Sequence, residues 1–424
     1  MRATAIALVG AALAATAPAA ARPPARCLGR IATLVGTPGD DVLRAGPDDV
    51  VAGLGGDDVV YAHQWSGPLC GGAGDDWIRG TNPGGDEISG GDGSDLILGR
   101  AQSDLIFGGD GDDVLIGDPP GPSRREFGTA GDALYGGPGA DRLYGYGDVD
   151  DLDGGDGDDY LAGGQDQDAF FPGPGDDHVR AGSDDGRDVV IFAEAPGPVT
   201  VDLAAGTVTG EGTDRLEQVE SVSGTPFADH LLGSEGRDML IGSDGGDLVQ
   251  GRGGDDLLIP DMTAYRTYGV TPVEQPTDDV VDGGPGTDHA MFGPFEDPSA
   301  GMEVDLDAGR ASGEGLDSLA SVEGVSAGAY AGTRVIGNDE DNLVYVFGAG
   351  GSYVEGRGGD DTIAAQAGTD EVDGGPGFDT CFYAEIRRNC ERGRSASRAG
   401  LVPAPRAPLR VLPAYLLPPI RPRE

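Results

Sequence analysis

Lysine is absent from this chain, and all 28 basic residues are arginine. Aromatic residues make up only 6% of the sequence, too few for the bulky core that 424 residues of ordinary domains would need. No stretch after the N-terminus approaches the 18 or so apolar residues of a membrane-spanning helix. Histidine occurs four times, at His63, His178, His230 and His289, with no H-E-x-x-H. There is no C-x-x-C, P-loop or G-x-G-x-x-G, so zinc-protease, redox and nucleotide-binding signatures are missing. Cations are so outnumbered that the formal net charge is -46. Such a surface repels phosphate, which argues against nucleic acid as a partner.

What the chain has instead is glycine, 78 residues, and acid, 74 Asp plus Glu. That composition often means disorder, unless glycine has a repeated backbone role. Periodicity decides the matter. A unit Gly-Gly-x-Gly-x-Asp-x-U-x, with U a large apolar residue, recurs every nine residues. It reads GGAGDDWIR from Gly71, GGDGSDLIL from Gly90, GGDGDDVLI from Gly108, GGPGADRLY from Gly136 and GGDGDDYLA from Gly154. Looser copies include GRAQSDLIF from Gly99, GGQDQDAFF from Gly163, GSEGRDMLI from Gly233, GRGGDDLLI from Gly251, GGPGTDHAM from Gly283 and GRGGDDTIA from Gly356.

Each position has a physical reason. Glycine accepts the positive φ of a tight turn. Aspartate offers a hard oxygen ligand, suited to calcium rather than zinc or copper. The closing x-U-x is a short strand with U facing one way and its neighbours the other, which points Ile97, Leu115, Leu143, Leu161 and Leu240 inward. Two such units form one coil. Stacked coils make an all-β solenoid of two parallel sheets with strands about 4.8 Å apart. Its interior is one U residue thick per side, so cohesion must come largely from bound metal.

These repeats resemble the RTX, or haemolysin-type, calcium-binding repeat family, whose fold is the parallel β-roll. The resemblance covers most of residues 36–382. It implies multiple calcium ions held by position-six carboxylates and turn backbone. By position this carries over to Asp76, Asp95, Asp113, Asp141, Asp159, Asp238, Asp256, Asp288 and Asp361. Asp41, Asp58, Asp104, Asp168, Asp177, Asp247, Asp370 and Asp379 follow in copies with degenerate glycines. The turn backbone falls on Gly72, Gly74, Gly91, Gly93, Gly109, Gly111, Gly137, Gly139, Gly155 and Gly157. Many members of the family are exported through an uncleaved C-terminal signal. This chain departs from that pattern, which weighs against toxin-like biology.

Residues 1–21 read as a secretory signal: Arg2, an apolar run from Ala3 to Ala17, and an A-x-A-like site at Ala19–Ala21. The expected location is therefore extracellular. Export suits disulfides. Four cysteines allow three connectivities, and proximity in sequence favours Cys27 with Cys70 and Cys381 with Cys390 over free thiols. Residues 22–35 read as a cap with Ile31–Val35 as an edge strand. Roll blocks are expected over 36–117, 128–191, 233–291 (interrupted by a loop at 260–277 carrying Tyr265 and Tyr268) and 337–390, the last closed by a disulfide.

Two β-rich inserts, 192–232 and 292–336, resemble each other at a constant offset, with Val201-Asp202-Leu203 matching Val304-Asp305-Leu306. They read as spacers that restart the roll. The tail 391–424 is rich in arginine and proline and reads as a disordered segment, either partnerless or an anchor to anionic cell-surface polymer. Gly324–Gly328 matches G-x-S-x-G around Ser326, but a nucleophile elbow needs its histidine later in the chain, and every histidine precedes it. No catalytic residue is assigned. The reading is a non-catalytic calcium-binding protein with a structural or surface-associated role; an adhesin and, more distantly, a Ser326 hydrolase are the alternatives.

Overall fold

The computed structural model describes residues 24–392 except 65–66, 82–83, 121–130, 183–187, 262–276, 294–300, 314, 329–331, 348–349 and 367. The readings for residues 1–21, for Tyr265 and Tyr268, and for the tail beyond Arg392 lie outside the described residues.

Among the described residues the chain forms strands and no helix, because a three-residue x-U-x segment between glycine turns is too short for a helical nucleus. Successive strands alternate between two parallel sheets. The first runs from Val42–Arg44 through Trp77–Arg79, Leu96–Leu98 and Val114–Ile116 to Ile386–Arg388. The second runs from Leu34–Val35 through Glu87–Asp92 and Leu105–Asp110 to Thr380–Phe382. Pairing is in strict register, Leu96 opposite Val114, Ile97 opposite Leu115 and Leu98 opposite Ile116. A one-residue slip would turn every U residue out to solvent.

Ile78, Ile97, Leu115, Leu143 and Leu161 face Ile88, Ile106, Leu134, Leu152 and Phe170 in one continuous core, all fully buried. The all-β parallel roll expected from the repeat is the fold observed, with about 17 coils.

Among the described residues the first sheet holds 21 strands and the second 17, and the inserts account for the difference. Thr200–Asp202, Thr207–Thr209 and Thr213–Glu217 form an antiparallel meander within the first sheet. Its outer strands pair in parallel with the flanking coils, Thr213–Glu217 with His178–Gly182 and Thr200–Asp202 with His230–Leu232. Met302–Asp305, Arg310–Ser312 and Leu316–Ala320 repeat the arrangement. Each insert therefore widens the first sheet by two strands and returns the chain to the roll.

Both ends are stapled. Cys27 and Cys70 are disulfide-bonded, as are Cys381 and Cys390. The N-terminal segment differs from a single edge strand over Ile31–Val35. Arg30–Ile31 folds back antiparallel on Arg26–Cys27, and only Leu34–Val35 joins the second sheet. Thr33 explains the break: its Oγ1 donates to Asp49 and accepts the Val50 N–H, turning the chain between the two pairings.

The stacking sets what the turns tolerate. At Gly91, φ is +129° and a Cβ would lie 1.9 Å from the Gly72 carbonyl oxygen. Degenerate copies keep the same bend under strain, with Arg100 at φ 97° and Gln102 at φ 83° in GRAQSDLIF. Gly91→Ala should therefore destabilise the roll by more than about 2 kcal/mol, whereas Gly84→Ala, whose Cβ meets nothing within 4 Å, should be nearly neutral. Urea unfolding at saturating calcium compares the two.

Candidate metal centre

The aspartate at position six ends each turn just before its strand, so stacking lines these residues up along both edges of the roll. Each backbone N–H donates to Oδ1 of the equivalent aspartate one coil on. Along the edge leading into the first sheet, Asp41 donates to Asp58, Asp58 to Asp76, Asp76 to Asp95 and Asp95 to Asp113, at 2.7–2.8 Å. The run continues through Asp141, Asp159 and Asp177 to Asp214. The opposite edge carries Asp86, Asp104, Asp132, Asp150, Asp168 and Asp188.

Past the first insert, Asp229, Asp247, Asp279 and Asp317 form one run and Asp238, Asp256 and Asp288 another, which closes on Glu323 Oε2. Near the C-terminus Asn342 leads into Asp361 and Asp379, ending on Glu391, and Ser352 leads into Asp370, ending on Glu385.

The other carboxylate oxygen is the telling one. Oδ2 of Asp58, Asp76, Asp95, Asp113, Asp141 and Asp159 is buried with no donor, as it is in Asp104, Asp168, Asp177, Asp247, Asp256, Asp288, Asp361 and Asp379. A buried anionic oxygen without a partner is costly. In all but Asp177, whose repeat opens on Pro172, that oxygen lies beside the first glycine of its own repeat. A Cβ on Gly136 would sit 2.4 Å from Asp141 Oδ2 and 2.4 Å from the Gly154 carbonyl oxygen of the next coil. A Cβ on Gly108 would sit 2.2 Å from Asp113 Oδ2 and 2.6 Å from the Gly136 carbonyl oxygen. Carboxylate and carbonyl oxygens thus line a small cradle that repeats coil after coil. An all-oxygen donor set of this kind fits a hard divalent cation, and calcium in particular, which accepts many oxygens in flexible geometry.

Every aspartate singled out by the repeat stands in one of these ladders, and the ten turn glycines from Gly72 to Gly157 all take positive φ. The ladders also recruit aspartates outside the glycine pattern: Asp86, Asp132, Asp150, Asp188, Asp214, Asp229, Asp279 and Asp317. Their signal is an Asp directly before x-U-x, visible in GDEIS and GDALY without the full glycine turn. Asp261, on no ladder, joins Asp279 and Asp317 with ligand oxygens within 4.8 Å of one another.

Ser326 lies elsewhere, on the outer side of the second sheet in the strand Gly324–Gly328. Chain order alone gives no hint that His289 meets it, yet parallel pairing sets His289 opposite Gly324 and brings its Nε2 2.8 Å from Ser326 Oγ. The bareness of Gly324 makes room for the imidazole, since a Cβ there would sit 2.1 Å from Nδ1. The serine is fully buried in an extended strand rather than exposed on a turn. Burial lowers the His289 pKa to about 4. The pair is a buried hydrogen bond, without the exposed strand-to-helix elbow that the G-x-S-x-G pattern marks in α/β-hydrolases.

Burial raises the ladder carboxylates when no cation is present. Asp113 is pushed up to about 7, Asp104 to about 9 and Asp177 to about 8, desolvation being the largest cause and neighbouring ladder carboxylates adding to it.

No curated protein matches the chain. The family profile for the RTX calcium-binding nonapeptide repeat (4 copies) matches residues 31–60, 71–82, 81–115, 127–161, 145–179, 155–188, 223–258 and 348–381.

The pKa shifts set the sign of the pH dependence. Folded pKa values above the unfolded value near 4 mean that the metal-free roll binds extra protons. Its stability is greatest below pH 4 and falls as pH rises through about 6 to 9. Calcium competes with those protons, so its affinity should rise over the same range and binding should release protons. Calorimetry in buffers of different ionisation enthalpy reads that release.

The ladders, the glycine slots and the matched repeats agree, and the chain belongs to the RTX calcium-binding nonapeptide repeat family.

Proposed function

We propose that this chain is a secreted, non-catalytic protein whose roll assembles as calcium fills the turns, and that the roll serves a structural or surface-associated role. The observation that carries the reading is the series of partnerless buried Oδ2 atoms, most of them beside the bare first glycine of their repeat and many, as at Gly108, Gly136 and Gly356, with a carbonyl oxygen of the next coil across the slot. In this reading the ligands are the ladder aspartates named above together with the first-glycine carbonyls. Asp86, Asp132, Asp150, Asp188, Asp214, Asp229, Asp279 and Asp317 extend the set. Calcium supplies the positive charge that lets adjacent carboxylates stay ionised while buried. The residues hold Oδ1 on the neighbouring backbone N–H, so only Oδ2 turns to the ion.

Export is supported by the signal-like N-terminus and by the two disulfides. Extracellular calcium modules bind at about 10⁻⁴ to 10⁻³ M, so the chain would stay unfolded in low-calcium cytoplasm and fold outside. Among the described residues no helix is long and apolar enough to cross a membrane. The absence of catalysis rests on the buried setting of Ser326; hydrolysis of an ester that is lost in Ser326→Ala would reverse it.

The test is circular dichroism during a calcium titration, with magnesium as control. Strand signal should develop cooperatively with calcium and not with equal magnesium. Asp113→Asn with Asp141→Asn should raise the midpoint severalfold. Full strand content in excess chelator, with no heat on adding calcium, would overturn the proposal.

A further inference from the structure

The two broad faces of the roll differ in charge. In the first sheet, from Val42–Arg44 to His178–Gly182, the inward position of each strand is filled by a buried core residue, which turns the flanking side chains outward. No Asp or Glu occurs in these strands. Four arginines do: Arg44, Arg79, Arg142 and Arg180. Among the described residues none of the four forms an ion pair, although Arg180 stands in register opposite Glu217 of the adjoining strand, where that acid is engaged by His178 and Arg215. The second sheet is the reverse, with Glu87, Asp151 and Asp153 outward and no arginine in its strands from Leu34–Val35 to Ala169–Phe171. In a chain of net charge -46, an acid-free face carrying unpaired guanidinium groups is a local inversion.

Rings lie between the cations. Arg44 stacks over Tyr61 at 4.2 Å, and Tyr61 meets Trp77 edge-on at 5.3 Å. Tyr144 and Tyr160 lie 5.7 Å apart beside Arg142. The remaining outward positions flanking the core residues are apolar except His178, which meets Glu217, with Val42 and Leu96 among the most exposed. Stacked strands about 4.8 Å apart hold all of these in a flat, straight array that spans roughly 30 Å. Along one file the order is Arg44, Tyr61, Arg79, which spaces the charges about two strands, or roughly 10 Å, apart.

We infer that this face of the first sheet is a docking surface for an acidic polysaccharide, with sugar rings lying on the tyrosines and Trp77 and carboxylate or sulfate groups meeting the arginines. Charge complementarity selects an anion, and the sparse cations select one with widely spaced charge. Nucleic acid carries a phosphate every few ångströms, which the few arginines could not match against the acidic body of the roll. A planar platform of aromatic faces and guanidinium groups suits ring-shaped units in an extended polymer. The inference deepens the surface-associated reading and rests on calcium holding the strands in register.

The test uses the full chain at saturating calcium, with hyaluronan as the acidic probe and dextran, anionic phosphatidylglycerol vesicles and single-stranded poly-dT as comparators. Retention on immobilised hyaluronan that weakens as salt rises, with none on dextran, is the expected result. Arg79→Ser, Arg142→Ser and Arg180→Ser together should weaken it at least about tenfold, and Trp77→Ala alone by several-fold. Asp151→Asn with Asp153→Asn, on the other face, should not weaken it. Dichroism confirms that each variant folds with calcium.

Equal retention on dextran, retention only on vesicles or poly-dT, or indifference to the arginine substitutions would overturn the inference. A calcium-folded chain that ignores hyaluronan sinks the docking surface alone. A chain that stays folded and binds hyaluronan in chelator sinks the calcium-folding proposal and leaves the surface standing.

Discussion

The structure depends on a single electrostatic constraint: two rows of carboxylates are buried one coil apart, most with one oxygen satisfied and one not, the exceptions including Asp41, Asp86, Asp229 and Asp238, whose Oδ2 accepts a backbone N–H at the start of the turn. The backbone N–H of the preceding coil fixes Oδ1, which orients the carboxylate and leaves Oδ2 facing the slot beside the first glycine. Burying an unpaired carboxylate is costly in any medium of low polarity. The pKa values rise accordingly, with desolvation the leading cause at every strongly shifted ladder aspartate named above. A bound cation would relieve that cost where Oδ2 has no donor. The core does not offset it alone, because each coil adds only two apolar side chains.

From that constraint the sequence rules follow. In most repeats the first glycine is bare where a Cβ would crowd Oδ2 of its own aspartate, Pro172 before Asp177 being an exception, while the second is bare because its Cβ would strike the coil before it. These are different reasons for adjacent residues, and only the first is about metal. Arg100 and Gln102 show that the positive-φ positions can be filled at the cost of strain, yet their copy keeps Gly99 in the slot position, where a Cβ would sit 2.3 Å from Asp104 Oδ2. The metal-facing glycine is the one the degenerate copy retains.

The inserts respect the ladder by interrupting it. The run along the first sheet closes where Asp177 donates to Asp214 in the last strand of the first meander. A new run opens where the Val199 N–H, just before the meander's first strand, donates to Asp229. The second insert closes its run the same way at Asp317, but beyond it the edge positions are Thr333 and Ser352 before aspartate returns at Asp370. The roll is therefore divided into separate acidic segments, each ended by an antiparallel turn-back or by Glu323, Glu385 or Glu391.

The fold and the regular rungs were legible in the sequence because both follow from local chemistry at a fixed period: glycine, aspartate and U announce turn, ligand and strand. The rungs at Asp86, Asp132 and Asp150 were harder to read because their turns keep a slot glycine (Gly80, Gly117, Gly145) but not the full nine-residue glycine pattern, and the register imposed by neighbouring coils places them. The contact of His289 with Ser326 was not legible at all, since a parallel coil brings together residues whose order in the chain carries no signal.

The outer faces escaped for a related reason. Positions flanking U stand outside the ladder and the main core, although some in the second sheet, such as Met239, Ile241 and Ile259, form small buried clusters of their own, so no repeat unit reveals that arginine gathers on one sheet and acid on the other. That freedom gives the architecture its functional latitude. The inward residue and the turn are committed to cohesion, whereas the exposed outward side chains can vary without disturbing a rung. A solenoid held together at its edges can present two chemically opposed broad faces on one scaffold.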